Sequence, residues 1–129
     1  MAFGSYRKGA RAERELAAFF DSQGYCVIRA AGSGVFSLSP DLLAFKRGEH
    51  LAFECKAVSA DRLCIQREQF VALKRWEDNT GIDVYVAWRL PRIGFRLARL
   101  TEFEETGSSF SISRARMLLL DRKPEDLVK

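Results

Sequence analysis

A chain of 129 residues has room for one domain with a real core, and 47% apolar residues including ten phenylalanines exclude a disordered chain. No apolar run approaches a membrane span, the opening Met-Ala-Phe-Gly-Ser-Tyr-Arg-Lys lacks the apolar core of a signal peptide, and three cysteines without CxxC spacing argue against a disulfide framework or a zinc site. These features predict one domain over residues 1–129, cytoplasmic and reduced, with no membrane contact and with Cys26 and Cys55 as buried thiols. The net charge of +4 and pI near 9.2 weakly favour a polyanionic partner.

The first helix is predicted from Tyr6 to Gln23, on the helical recurrence of Ala10, Ala12, Leu16, Ala17, Phe19 and Phe20, with Gly24 as its stop. Positions 9, 13, 16, 17 and 20 form one stripe, so Glu13 falls on the inward face among apolar neighbours. Glu13 has two readings: an acid paired with Arg7, Arg11 or Arg14, or a carboxylate aimed at a site. Arg7, Lys8, Arg11 and Arg14 crowd the start of this helix, where the macrodipole disfavours cations. Arg89, Arg92, Arg96 and Arg99 form a second basic group on or beside later strands. Solvated surface explains either group separately; together they favour a phosphate-contacting face.

Tyr25 to Arg29 reads as a strand, followed by the small-residue loop Ala30-Ala31-Gly32-Ser33-Gly34-Val35-Phe36-Ser37-Leu38-Ser39. Such a loop could hold a phosphate on backbone N–H groups or simply connect; it lacks the ending of a P-loop. Asp41 to Lys46 and Leu51 to Ala57 read as two strands of a hairpin around Arg47-Gly48-Glu49-His50, with His50 a turn residue. A II′ turn at Gly48-Glu49 places Leu43 opposite Glu54 and Asp41 opposite Lys56. By period-2 alternation Asp41, Glu54 and Lys56 then leave one face, the direct pair about 5 Å apart at Cβ and the Asp41–Glu54 diagonal roughly 7–8 Å. A hard divalent cation could bridge the two carboxylates. Two acids and a lysine on a hairpin also read as a solvated face with cross-strand ion pairs. Against that, the continuous apolar run Leu42-Leu43-Ala44 predicts a sheet covered on both faces, where charges need partners or a purpose. Pro40 fixes the backbone just before Asp41.

Val58 to Leu63 reads as a loop and Cys64-Ile65 as a short extended piece. A second helix spans Gln66 to Thr80, with Phe70, Leu73 and Trp76 on one side and Gly81 as the stop. Its aromatic residues fit a core better than a nucleic-acid contact. Strands follow at Asp83 to Trp88, ended by Pro91, and at Gly94 to Leu100. Ser109 to Ile112 is expected as an edge strand, Arg114 to Leu120 as a short helix or strand, and the charged end to Lys129 as a frayed tail. The order predicts an α/β fold, a mixed central β-sheet flanked by helices.

Arg7-Lys8-Gly9 with Glu13-Arg14-Glu15-Leu16, Val27-Ile28-Arg29, Gly32-Ser33-Gly34, Pro40-Asp41-Leu42-Leu43-Ala44 and Glu54-Cys55-Lys56 stand in one order. Over roughly residues 6 to 100 the chain resembles the archaeal Holliday junction resolvases of the PD-(D/E)XK nuclease superfamily. The resemblance implies a restriction-endonuclease-like core and a Mg²⁺-dependent endonuclease, with Mn²⁺ as substitute. It further implies a homodimer that cuts four-way DNA junctions by paired symmetric cleavage. By position, Asp41 and Glu54 match the metal-binding acids, Glu13 the helix glutamate that completes the acidic site, and Lys56 the catalytic lysine. Arg14 and Arg29 match arginines of junction handling, and Ser33 the serine of a loop near the scissile strand. Trp76 falls where an aromatic, more usually Phe, lies near the active site or dimer interface. With Arg7, Lys8 and Arg11 these give the expected DNA-binding set.

Three alternatives make different predictions. Another PD-(D/E)XK repair or restriction endonuclease would cut duplex DNA, a catalytically inactive junction-binding protein would bind without cutting, and a structural α/β domain would do neither. The short chain shows no base-reading insertion, which favours recognition of shape.

Overall fold

Strand alternation and two helical stripes put most large apolar side chains of the middle of the chain on one of two faces of a sheet. The computed structural model describes residues 2–30 and 39–129, with side chains from residue 9 onward. Helix α1 (Ala2–Ser22) leads into β1 (Cys26–Arg29), β2 (Leu42–Lys46) and β3 (Glu49–Lys56). Then come β4 (Arg62–Gln66), α2 (Arg67–Thr80), β5 (Val84–Leu90) and β6 (Gly94–Arg99). After a 3-10 turn at Leu100–Glu102 the chain adds β7 (Glu104–Thr106), β8 (Ser109–Ser113), α3 (Arg114–Leu120) and a last 3-10 turn at Pro124–Leu127. The main sheet has the order β1-β2-β3-β5-β6, with β3 and β5 parallel and its other pairs antiparallel, and β4-β8-β7 form a second small sheet. This is the expected mixed α/β architecture.

Central β5 is buried along almost its whole length, as a strand covered on both faces must be. Ala52, Val84, Val86, Trp88 and Leu90 face α2, α3 and the small sheet, where they meet Leu63, Ile65, Phe70, Leu73, Ile112 and Met117. Phe53, Cys55, Tyr85, Ala87 and Leu97 face α1 and meet Ala12, Leu16 and Phe20. Phe20 stacks on Phe53 at 5.0 Å between ring centres, with Tyr25 edge-on at 5.2 Å. The predicted stop at Gly81 is realised: it takes φ 74° and donates its N–H to Glu77 O at 2.9 Å, a left-handed cap open to glycine at little cost.

Several sequence expectations change in three dimensions. Helix α1 begins at Ala2, so Arg7, Lys8, Arg11 and Arg14 do not stand at its first turn and the dipole argument for them loses its force. Ser109–Ser113 is not an edge strand but the middle of the small sheet, because Glu104–Thr106 adds a strand outside it. The charged tail is docked: Leu127 and Val128 join the core beneath α1, and Tyr25 Oη donates to Leu127 O at 3.4 Å. Lys46 Nζ donates to Lys129 O at 2.7 Å. Cys26 is exposed, since β1 is the sheet's outer strand, whereas Cys55 is buried. His50 lies in β3, edge-on to Phe45. Among the described residues no helix is long and apolar enough to cross a membrane.

Candidate active site

The hairpin turn is Arg47-Gly48, with φ of 43° and 88°, not Gly48-Glu49. Both central residues take positive φ, as a type I′ turn requires. The register follows: Lys46 faces Glu49, Leu43 faces Ala52 and Leu42 faces Phe53. Carried one residue further, it sets Asp41 beside Glu54 and not beside Lys56. The correction is a slip of two residues, so every side chain keeps its face. Asp41, Glu54 and Lys56 therefore still converge, with the two acids brought closer than predicted.

Asp41 stands where β2 has not yet begun, after the buried Pro40, and both its ends are held. Its carbonyl accepts from Ala30 N at 2.9 Å, and its Oδ2 accepts from Cys55 N at 2.9 Å, taking the place of a ladder partner. Glu54 is only 4% exposed, so the solvated-face reading of the hairpin fails. Burial, then the Asp41 charge, pushes the Glu54 carboxyl up to about 8, against the pull of Lys56. Burial raises the Asp41 carboxyl too, and Glu13 adds to the rise. Lys56 Nζ lies 3.5 Å from Glu54 Oε2. Opposite Lys56, fully buried Trp88 donates Nε1–H to Val58 O at 2.9 Å, which fastens the chain just past the lysine.

Sequence reasoning missed Gln69. From the first turn of α2 it donates Nε2–H to Glu54 Oε2 at 2.8 Å and accepts from Lys56 Nζ at 3.3 Å. The available signal was a polar residue four before Leu73, on the side of the helix that carries Phe70 and Leu73.

Glu13 reaches the same strand ends from α1, on the opposite face of the sheet, and its charge acts on both Asp41 and Glu54. Among the described side chains its partner is Arg29, Nη2 to Oε1 at 3.2 Å, and not Arg11 or Arg14. Among the described residues no three His, Cys, Asp or Glu side chains stand in metal-holding geometry, so the three acids are near one another but not drawn around a common point. The donor chemistry of Asp41 and Glu54 nevertheless fits Mg²⁺: hard oxygens, adjacent, with too little positive charge around them to keep both carboxyls in their usual range. The buried Cys55 thiol is pushed up by desolvation and has no role as a nucleophile.

Of the expected DNA-binding set, Arg11, Arg14 and Arg29 are exposed. Trp76 instead packs partly buried against the core beneath α2. Ser33 lies outside the described residues, as do the side chains of Arg7 and Lys8. In the second basic group three of the four arginines are engaged. Arg89 Nε lies 3.1 Å from Glu15, Arg96 Nε 2.9 Å from Asp121, and Arg99 Nη2 3.3 Å from both Glu77 and Asp83. That group is largely held in an ion-pair lattice.

Residues 4–121 match the family profile described as archaeal Holliday junction resolvase (Hjc). The crossover junction endodeoxyribonuclease Hjc of Methanocaldococcus jannaschii is 41% identical over 83 residues, which are 64% of this chain and 59% of that protein. The Archaeoglobus fulgidus counterpart is 32% identical over 109 residues, 84% of this chain and 80% of that protein. The crystal structure of A. fulgidus Hjc, a Holliday junction resolvase, superposes with a TM-score of 0.77 at 29% identity, covering 87% of this chain and 88% of that one. A bacterial homing endonuclease, I-Ssp6803I, shares the fold at a TM-score of 0.50 and 16% identity, covering 83% of this chain and 73% of that one. The chain belongs to the archaeal Holliday junction resolvase family, the PD-(D/E)XK-related, metal-dependent endonucleases selective for the structure of four-way DNA junctions.

Proposed function

We propose that this chain, as one nuclease domain over residues 1–129, resolves four-way DNA junctions inside the cell by paired, symmetric phosphodiester hydrolysis. It acts as a homodimer, since two equivalent strands call for two equivalent sites related by a two-fold axis. The observation that carries this reading is Glu54: a buried glutamate beside Asp41 and Lys56, its carboxyl raised to about 8. Such a group is under-neutralised in the protein alone and is suited to receive a cation.

Asp41 and Glu54 are the residues that would hold Mg²⁺, or Mn²⁺ in its place, with Glu13 joining directly or through water. When bound, the ion supplies charge neutralisation at the phosphate and lowers the pKa of a water. The rest falls to the chain. Asp41, pinned through Cys55 N, keeps one carboxylate edge in a fixed place. The Lys56 ammonium, steadied beside Glu54, orients the attacking water and stabilises negative charge developing at the phosphate. Arg29 has a choice of anions: when a DNA phosphate takes it, Glu13 is released toward the acids. Arg7, Lys8, Arg11 and Arg14 on α1 carry the phosphate contacts, and Ser33 keeps the role at the scissile strand that the family resemblance implies for it. Contacts of this kind read branched shape and not base sequence.

The test uses a labelled four-way junction with Mg²⁺, a linear duplex of matched sequence, and the Glu54→Ala variant. Paired nicks in the junction alone, lost in the variant and with EDTA, are expected. Cutting of both substrates would replace this reading with a general nuclease, and binding without cutting would reduce the site to a recognition surface.

A further inference from the structure

Gln69 is the third residue of α2, a position from which glutamine ordinarily folds back to the N-cap backbone N–H in a capping box. Here the N-cap is Gln66, which makes no side-chain cap hydrogen bond. Both polar atoms of Gln69 instead leave the helix for β3, Nε2 to Glu54 Oε2 at 2.8 Å and Oε1 from Lys56 Nζ at 3.3 Å. The local helix thus forgoes a stabilising interaction to serve two side chains of the site.

The amide is suited to this task by its polarity. Its NH₂ end faces a carboxylate and its carbonyl end faces an ammonium, so one orientation satisfies both at once. A glutamate would keep the lysine and repel Glu54; a lysine or arginine would do the reverse. Glu54 and Lys56 themselves stand 3.5 Å apart, longer than the usual charge-assisted contact, with the amide joined to each. A carboxylate that is to hold a cation needs its free lone pairs aimed outward, and partners behind it fix that aim.

We infer that Gln69 is a positioning residue of the nuclease site, which orients the Glu54 carboxylate for a divalent cation and the Lys56 ammonium for the scissile phosphate. This rests on the resolvase reading above. It also ties the site to α2, an element that contributes no catalytic group of its own.

The test compares wild type, Gln69→Met and Gln69→Glu as full-length protein. Mn²⁺ binding is measured by calorimetry without DNA, junction affinity in EDTA, thermal unfolding, and single-turnover cleavage across a Mg²⁺ titration. Gln69→Met keeps the volume and removes both hydrogen bonds. It is expected to weaken Mn²⁺ binding and slow cleavage by about 10- to 100-fold, while junction affinity in EDTA stays within about twofold. If Gln69 filled only a packing role, Gln69→Met would leave Mn²⁺ binding untouched. Gln69→Glu keeps the shape and the Lys56 contact but sets a negative charge against Glu54, and is expected to slow cleavage at least about tenfold. The inference is overturned if either variant cleaves at the wild-type rate. It is equally overturned if the loss merely follows a lowered melting point and lost junction binding. Wild type controls for the parent reading: if it leaves the junction whole, resolvase action falls, while the Mn²⁺ comparison still decides whether Gln69 orients Glu54.

Discussion

Glu54 lies 3.5 Å from Lys56 and Glu102 lies 2.8 Å from Arg122, yet the first carboxyl is raised to about 8 and the second is held below its usual range. Glu102 belongs to the far edge of the main sheet. Both its oxygens accept from the Arg122 guanidinium, at 2.8 and 2.9 Å, and Arg99 N donates to Oε1 at 2.6 Å. Such a bidentate pair with an extra N–H donor more than offsets partial burial. Glu54 is more deeply buried, has a second carboxylate beside it, and shares its lysine with Gln69. Around Glu102 the chain has satisfied its charges and built a structural joint. Around Glu54 it supplies too little positive charge to keep the carboxyl ionised, so the group retains a proton that a bound cation would displace. The two regions show that an ion pair in a structure does not by itself separate scaffold from site; whether the charges around it are already satisfied does.

The sharpest way to break this contrast is Glu54→Gln. Junction cleavage should fall at least about 10³-fold, as expected when a metal ligand is lost. Thermal unfolding of the metal-free variant at pH 8 should occur no lower than in wild type, because the substitution removes a buried charge. An equal loss of stability and activity would make Glu54 a structural residue like Glu102.

The pH dependence of the two acids should run in opposite directions. Glu54 has a folded value near 8, above the ordinary 4.5, so the folded state retains a proton that the unfolded chain has lost. Metal-free stability should therefore fall as pH rises from about 4.5 to 8, and Glu54→Gln should flatten that fall in urea titrations. Because the carboxyl must release its proton to hold a cation, the Mg²⁺ concentration for half-maximal cleavage should rise about tenfold for each unit that pH falls below 8. A flat requirement between pH 6 and 8 would contradict the assignment.

On the scaffold side, Arg122→Ala should lower stability at neutral pH by about 1–3 kcal/mol, read by urea denaturation, with the catalytic rate per folded molecule unchanged. Glu102 is depressed, so its contribution is present above the ordinary carboxyl value and is lost as pH falls through its own lower value. The wild-type advantage over Arg122→Ala should accordingly shrink in acid.

The smallest effect is expected from Arg89→Ala, which removes the surface pair with Glu15. Stability should change by no more than about 0.5 kcal/mol, and junction affinity with its salt slope should hold. Arg14→Ala, by contrast, should reduce the salt slope by about 1. Equal slopes for the two variants would merge the two basic groups again.

The sequence by itself determined the local elements and the chemistry available at the site. Helical and period-2 recurrence placed both long helices, the hairpin and β5 and β6, and Pro40-Asp41 with Glu54-Cys55-Lys56 put two acids and a lysine on one face. That much is local, set by backbone geometry and nearest neighbours. A register error of two residues left the faces intact, which is why the site survived a misplaced turn. What pairs with what was decided only by tertiary structure. Arg29 meets Glu13 from another element, Gln69 crosses from α2 to Glu54 and Lys56, and Arg89, Arg96 and Arg99 each find an acid distant in the chain. Charges act through space and against burial, and both quantities come into being only when segments distant in the chain are brought together.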